Sequence, residues 1–279
     1  MRETFDAVAF PFSIAHEGGW DNDPHDRGNW TSGVIGKGEL KGTKYGVASH
    51  VYPNLDIKNL TKEDARKIQW TDYALKVAYD ALPAGFDVSV FDMAYNAGPA
   101  RSLILAQRAL GAGTSAPAQV ATLANAATDK VALIKAFAAK RLSFYRGLST
   151  FSRYGRGWSR RAAECEALSV KTWLDYGAKK PAAEIKKTLE TEGKAANKAS
   201  AGHAASGAAA GGAETANASQ QDWAWQWDWA AAVEVGFAVV AVGLVLYFAW
   251  KALAHRDRAN AYSNVAKDAS PAAPATTGG

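Results

Sequence analysis

Four groups of residues have the types and spacing to do chemistry. Glu17 comes first: it ends an apolar helical run (Phe5, Val8, Phe12, Ala15) and is followed at once by Gly18-Gly19. A carboxyl in the last turn of a helix has a fixed backbone and an edge position, which suits a general acid. Apolar walls from His16, Trp20 or Trp30 would help it hold its proton near neutral pH. Next is the short loop DNDPHD, which carries Asp21, Asp23 and Asp26 around Pro24. An acid facing a carboxylate in the next loop is the arrangement of glycoside hydrolysis: one group protonates the leaving oxygen, and the other holds water or stabilises an oxocarbenium ion. Third is TKYGV, where the Thr43 hydroxyl could orient that water. Last is VFDMAYNAGP, in which Asp92 and Asn96 lie one helical turn apart on one face. Asn96 fits either a substrate hydrogen bond or a helix cap. Any of these carboxylates taken alone reads equally as a solvated surface group.

The order HEGGW, DNDPHD, TKYGV and VFDMAYNAGP resembles glycoside hydrolase family 108, muramidases that cut the glycan of bacterial peptidoglycan, often as phage endolysins. The resemblance implies Glu17 as the catalytic acid. The Glu17-to-Asp26 interval is similar to the Glu-to-Asp interval of phage-type lysozymes, which implies Asp26 and Thr43 as its partners. Substrate contacts are implied for Asp23, Tyr45, Asp92, Tyr95 and Asn96, with no metal and no cofactor. The chain departs from the family pattern at Gly28–Lys41, a longer Gly-rich insert between the Asp loop and the threonine.

The elements that must position these residues read as helices. Thr61 is an N-cap followed by Glu63 and Asp64, which suit the helix dipole. Val88, Phe91 and Tyr95 recur at helical spacing, as do Leu103, Ala106 and Leu110 up to Gly111. A long helix is expected from Asp129 to Tyr145. From Lys135 to Arg161 there are eight basic residues and no acid. The interleaved aromatics (Phe137, Phe144, Tyr145, Phe151, Tyr154, Trp158) have helical or turn spacing, so they read as core rather than as a nucleic-acid surface. This stretch also resembles the predicted peptidoglycan-binding region that follows the family's catalytic part. The expected fold is mainly α: a lysozyme-like helical domain with a flexible linker and one C-terminal transmembrane helix. Its parts are a catalytic region (1–110), a helical wall-binding region (111–178), a linker (179–221), a Trp-rich flank with the membrane helix (222–251) and a disordered basic tail (252–279).

The linker reading rests on Lys194–Gln221, which is mostly Ala, Gly, Ser and Asn with no large apolar residue. The membrane reading rests on Ala230–Trp250, apolar but for Glu234, with four tryptophans before it and Tyr247, Phe248 and Trp250 at its end. Lys251, Arg256 and Arg258 follow, so the positive-inside rule puts the tail in the cytoplasm and the catalytic part in the periplasm of a single-pass inner-membrane protein. No conventional signal peptide is visible, so export would need a separate pore-forming or export protein. The +5 net charge favours an anionic partner such as the wall or a membrane. The single cysteine, Cys165, excludes an intrachain disulfide.

Three other readings compete with hydrolysis. A lytic transglycosylase would need Glu17 but no second carboxylate. A zinc amidase would use His16, His25 and Asp23 or Asp26, but adjacent His16 and Glu17 point to different helix faces and no third well-spaced histidine follows. A non-enzymatic wall-tethering protein would have no use for the paired carboxylates.

Overall fold

The computed structural model describes residues 2–215 and 229–269. They are mainly α-helical and divide into two compact units, residues 1–155 with 168–180, and residues 156–167 with 181–279.

The first unit begins with a π-helical turn, Phe5–Ala9, that runs into helix α1, Phe10–His16. The loop after α1 leads to a two-stranded antiparallel hairpin, β1 (Thr43–Lys44) and β2 (Val47–Ala48), with Thr43 opposite Ala48. Helix α2, Lys62–Gln69, starts as its sequence predicts: Thr61 and Asp64 form a reciprocal capping box. Helices α3 (Phe86–Ala97), α4 (Pro99–Leu110), α5 (Pro117–Ala126) and α6 (Lys130–Arg146) follow. Gly111 closes α4 in the left-handed conformation, the C-terminal signal read from the sequence. Asp129 caps α6 through the Ala132 amide.

Helix α3 is the axis of this unit. Every residue from Phe86 to Ala94 is buried, because its sequence is apolar almost all round and other elements cover each face. Phe5 sits at the centre of an edge-to-face cluster, 4.9 Å from Trp70 and 5.1 Å from Phe91 between ring centroids. Tyr73 and Tyr95 flank that cluster, half-buried, and carry its edge toward the β hairpin. A second cluster of Val47, Ile57, Leu60 and Ala65 packs under the hairpin together with Ile14, Tyr45 and Tyr52.

One expectation for α3 is corrected here. Asp92 is 1 % exposed and forms an ion pair with Arg141 at 2.6 Å. A side chain sealed in the core cannot contact a polymer, so Asp92 is a structural residue and not a substrate ligand. The pair continues outward: Arg141 Nε donates to the Tyr145 hydroxyl (2.8 Å), which donates to Asn96 Oδ1 (2.7 Å). This line of bonds joins α3 to α6. It also shows that part of the basic stretch is internal, with Phe137 and Tyr145 buried beside Arg141.

The second unit contains residues 156–167 of helix α7 (Phe151–Thr172), helix α8 (Ala182–Thr215) and helix α9 (Trp229–Asp268). Helices α8 and α9 lie side by side and antiparallel. Gly193 meets Tyr262, Ser200 donates to the Ala252 carbonyl, and Gly207 meets Phe248. Residues 194–215 are therefore helical where composition predicts a flexible linker, and 252–268 are helical where it predicts a disordered tail. The reason is the same in both places. Alanine is the strongest helix former, and a helix surface of Ala and Gly lets a neighbour bearing large side chains approach closely. Glu166, 3 % exposed, accepts from Arg258 Nη2 (2.6 Å) and from the Tyr262 hydroxyl (2.9 Å), which fastens the end of α9 to α7.

Among the described residues no helix is long and apolar enough to cross a membrane. Much of the expected span, the side chains of 230–239 and of 241, lies outside the described residues, as do 216–228 of the linker and Trp-rich flank and 270–279 of the tail. Within the span, Val240, Val242, Leu244 and Leu246 are exposed.

Candidate active site

Glu17 is the C-cap of α1. Its amide bonds back to the Ser13 and Ile14 carbonyls, and its own backbone is extended (φ −95°, ψ 136°), so the helix ends at this residue. Neither Gly18 nor Gly19 takes a left-handed conformation, and a Cβ on either would meet nothing within 4 Å. The two glycines therefore leave the approach to Glu17 open instead of closing the helix by positive φ.

The carboxylate is held against the tip of the β hairpin. Only two residues, Tyr45 (φ 55°) and Gly46 (φ 78°), join β1 to β2, and both are left-handed, as a type I′ turn requires. The tip is clamped from both sides: the Tyr45 amide donates to the Gly18 carbonyl (3.2 Å), and the Tyr95 hydroxyl donates to the Tyr45 carbonyl (2.7 Å). A Cβ at Gly46 would lie 3.0 Å from Glu17 Oε2 and 2.6 Å from Tyr95 Oη, so the two oxygens converge above this glycine. Tyr73 completes the wall, edge-on to Tyr95 with centroids 4.8 Å apart. Burial pushes the Tyr73 phenol above its ordinary range against a hydrogen bond with Tyr52, and the negative charges of Asp72 and Glu17 add to the effect. Glu17 thus sits half-buried at an aromatic edge.

A second group forms around Thr43. Its backbone pairs with that of Asp21 through two 2.8 Å bonds, and its hydroxyl donates to Asn29 Oδ1 at 2.7 Å. Asn29 Nδ2 donates in turn to Asp21 Oδ2 (3.1 Å) and to the Asp23 carbonyl (3.1 Å). The hairpin joins this group to the Glu17 group, since Thr43 lies two residues before the turn that touches Glu17.

The three aspartates of the loop have different partners. Asp26 is exposed and caps its own turn, accepting from the Gly28 amide at 2.8 Å. Asp23 accepts from the backbone amide of His25 (2.9 Å) and pairs with its ring at 3.0 Å. These contacts hold the Asp23 carboxyl below its usual range. Asp21 alone is tied to Thr43. The structure therefore brings Glu17, Tyr45 and Tyr95 together and links Thr43 to Asp21. Asp26 and Asp23 remain on the loop surface with local bonds, and Asn96 stands at the exposed end of α3 with its carbonyl on Tyr145.

Sequence reasoning passed over Asn29, Gly46 and Tyr73. Gly46 had a signal in the two-residue gap between TK and VA. Asn29 and Tyr73 had none, because a buried amide and a wall tyrosine look like any loop or helix residue. His16 Nδ1 bonds the Phe12 carbonyl at 2.9 Å, away from His25. Among the described residues no group of three His, Cys, Asp or Glu side chains is placed to hold a metal ion.

The family model described as Glycosyl hydrolase 108 matches residues 10–98, which span Glu17, the Asp loop, the hairpin and α3. No curated protein matches the chain. Among solved structures, the chain is similar to SagA of Brucella abortus at 28 % identity and a TM-score of 0.51. The match covers 62 % of this chain and 97 % of that one.

Proposed function

From the premise that residues 10–98 are a glycosyl hydrolase 108 domain, mainly α-helical and lysozyme-like, we propose that the protein is an N-acetylmuramidase. The family is one of peptidoglycan hydrolases, and membership implies a glycosidase with peptidoglycan as substrate. The bond cut would be the β-1,4 link between N-acetylmuramic acid and N-acetylglucosamine. The observation that carries this reading is the seat of Glu17, whose carboxyl is fixed at a helix end and turned toward Tyr95 over Gly46.

In this mechanism Glu17 gives its proton to the glycosidic oxygen as the C1–O bond breaks, and the positive charge develops on the sugar ring. Asp26 faces that charge or the incoming water, Thr43 holds the water, and water adds to C1 as it gives a proton to a carboxylate, Asp26 or the Glu17 that has just lost its own. Tyr45, Tyr95, Asp23 and Asn96 border the path of the glycan. The lytic transglycosylase is the second reading. It is favoured by one observation: the Asp26 carboxylate is exposed and engaged in its own turn, accepting from the Gly28 amide.

The same proposal makes Ala230–Trp250 a membrane anchor, with the catalytic unit in the periplasm. Its support is the apolar sequence, its aromatic flanks and the exposed Val240, Val242, Leu244 and Leu246. Insertion with the tail on the cytoplasmic side requires the α8–α9 pair to open and Arg258 to leave Glu166. Protease added to intact spheroplasts tests this, with cleavage before Ala230 expected.

Mass spectrometry of muropeptides tests the reaction. Reducing N-acetylmuramic ends support the muramidase, anhydro ends the transglycosylase, and intact glycan with loose peptides refutes both. The Glu17→Gln protein, folded, should lose activity by roughly 10²–10⁴-fold.

A further inference from the structure

We infer that Asn29 is a positioning residue: it fixes the direction of the Thr43 hydroxyl hydrogen and so makes Thr43 a hydrogen-bond acceptor toward the attacking water. The inference rests on the muramidase reading, and it comes from donor and acceptor chemistry in the Asp21–Asn29–Thr43 chain.

Asn29 is completely buried. One end of its amide faces Asp21 Oδ2 and the Asp23 carbonyl, each at 3.1 Å. A carboxylate and a carbonyl can only accept, so that end must be the NH2, and both of its hydrogens are used. The reversed amide would set a carbonyl oxygen against two acceptors in a buried site and forfeit two hydrogen bonds. The other end, Oδ1, therefore faces Thr43 Oγ1 at 2.7 Å. An amide oxygen cannot donate, so the Thr43 hydroxyl must.

That hydroxyl has one hydrogen. With it committed to Asn29, Oγ1 offers lone pairs only. A water bound there has to donate to Thr43, which leaves its own lone pairs free to point at an anomeric carbon. A freely rotating hydroxyl could donate to the water instead and draw one of the water's lone pairs toward Thr43. The Asp21 charge at the far end polarises the amide and strengthens the bond to Thr43. The backbone of Asn29 is pinned as firmly as its side chain: its carbonyl accepts from the Lys41 and Gly42 amides, both at 3.1 Å, and its amide donates to the Asp26 carbonyl at 3.1 Å. Asn29 thus ties the Asp loop, the insert and β1 together at one point.

The test is steady-state kinetics of reducing-end release from soluble glycan strands, with thermal unfolding followed in parallel. The proteins are wild type, Thr43→Ser, Thr43→Val, Asn29→Asp and the Asn29→Asp/Thr43→Val double variant. Thr43→Ser keeps a hydroxyl that can donate to Asn29 and should retain more of the wild-type kcat than Thr43→Val does. Thr43→Val should lose roughly tenfold or more in kcat with KM unchanged, the effect of one interaction made at the transition state. At neutral pH, Asn29→Asp sets a carboxylate oxygen against two acceptors; the repulsion drives the side chain from its seat, takes the acceptor away from Thr43 Oγ1 and should lose a similar factor. Relative to wild type it should recover as pH falls, because a protonated Asp can again donate to that side. In the Thr43→Val background Asn29→Asp should cost nothing further.

The proposal is overturned if the two single effects multiply in the double variant, or if Thr43→Val matches wild type. It is also overturned if Asn29→Asp changes the unfolding temperature and leaves kcat alone. If Asn29→Asp does not fold, Asn29→Ser, which withdraws the acceptor from Thr43, takes its place in the single and double variants, and a wild-type kcat in Asn29→Ser overturns the proposal. A wild-type protein that releases no reducing ends refutes the muramidase reading itself, whereas an active wild type with uncoupled variants refutes only the role of Asn29.

Discussion

Glu17 Oε2 and Tyr95 Oη converge on one point above the Cα of Gly46, a position that has room for no side chain. Glu17 comes from the end of α1 and Tyr95 from the last turn of the buried helix α3, and the hairpin tip is wedged between them. The position of the proposed acid is thus set by a turn some thirty residues away in sequence.

Gly46→Ala should damage both the site and the hairpin. The new methyl would lie 2.6 Å from Tyr95 Oη and 3.0 Å from Glu17 Oε2, on a backbone with φ 78°. The left-handed conformation alone costs a non-glycine residue about 1–2 kcal/mol. The expected result is a lower urea midpoint together with a loss of activity larger than that destabilisation explains. Wild-type activity in Gly46→Ala would show that the convergence of the two oxygens has no part in catalysis.

The three loop carboxylates can be separated by their partners. Asn in place of Asp26 still accepts from the Gly28 amide, so the turn should survive and the melting temperature should hold. If Asp26 acts on water or on the oxocarbenium ion, kcat of Asp26→Asn should fall roughly 10²-fold or more. Asp23→Asn should stay close to wild type, since its carboxylate is turned toward exposed His25. The reverse outcome, damage from Asp23→Asn alone, would assign the second carboxylate to Asp23.

Arg141→Met should be a stability variant. It leaves Asp92 charged and 1 % exposed with its ion-pair partner gone, and breaking a buried pair by removing one member costs about 3–5 kcal/mol. Chemical denaturation should show that loss, while KM of the remaining folded protein stays unchanged. A raised KM at full stability would return Asp92 to the substrate surface.

Asp92 also shows where the sequence was legible and where it was not. Helical spacing put Asp92 and Asn96 on one face, which is correct, and Val88 and Phe91 in the core, which is also correct. Spacing cannot say whether a polar face looks at solvent or at another helix, and here Arg141 of α6 covers it. Glu17 at a helix end, the Thr61 cap and the Gly111 stop were local signals, and local signals survive folding. The Asn29 chain was invisible because it depends on the insert, whose path brings Lys41 and Gly42 back to the Asn29 carbonyl. Helix α8 was misread for a different reason. Its Ala- and Gly-rich composition cannot build a core alone, and the large side chains that cover it come from α9.

Asp87 should contribute less to stability as pH rises from about 4 to 7, while His255, held down to about 4 by burial and by the charges of Arg258, His203 and Lys251, contributes more over the same range. Asp87 opens α3 and is fully buried, accepting from Thr4 Oγ1 (2.6 Å) and from the Val88 amide (2.7 Å). Burial pushes its carboxyl up to about 7, against the lowering effect of the hydrogen bonds from Thr4, Val88 and Gly85. In the unfolded chain it ionises near 4. Below that pH both states hold the proton and the contribution to stability is complete. Between the two values only the folded state still holds it, so this contribution declines by at most ~1.4 kcal/mol per pH unit and levels off above 7. Asp23, Asp56, Glu63 and Asp64, whose carboxyls are lowered by their hydrogen bonds, lose their contributions only as pH falls below the normal carboxylate range, outside this window. Asp87→Asn is neutral at every pH, so its stability should gain on that of the wild type as pH rises through this window. Urea midpoints of the two proteins from pH 4.5 to 8 give the comparison, and parallel curves would mean that Asp87 is ionised in the folded protein throughout.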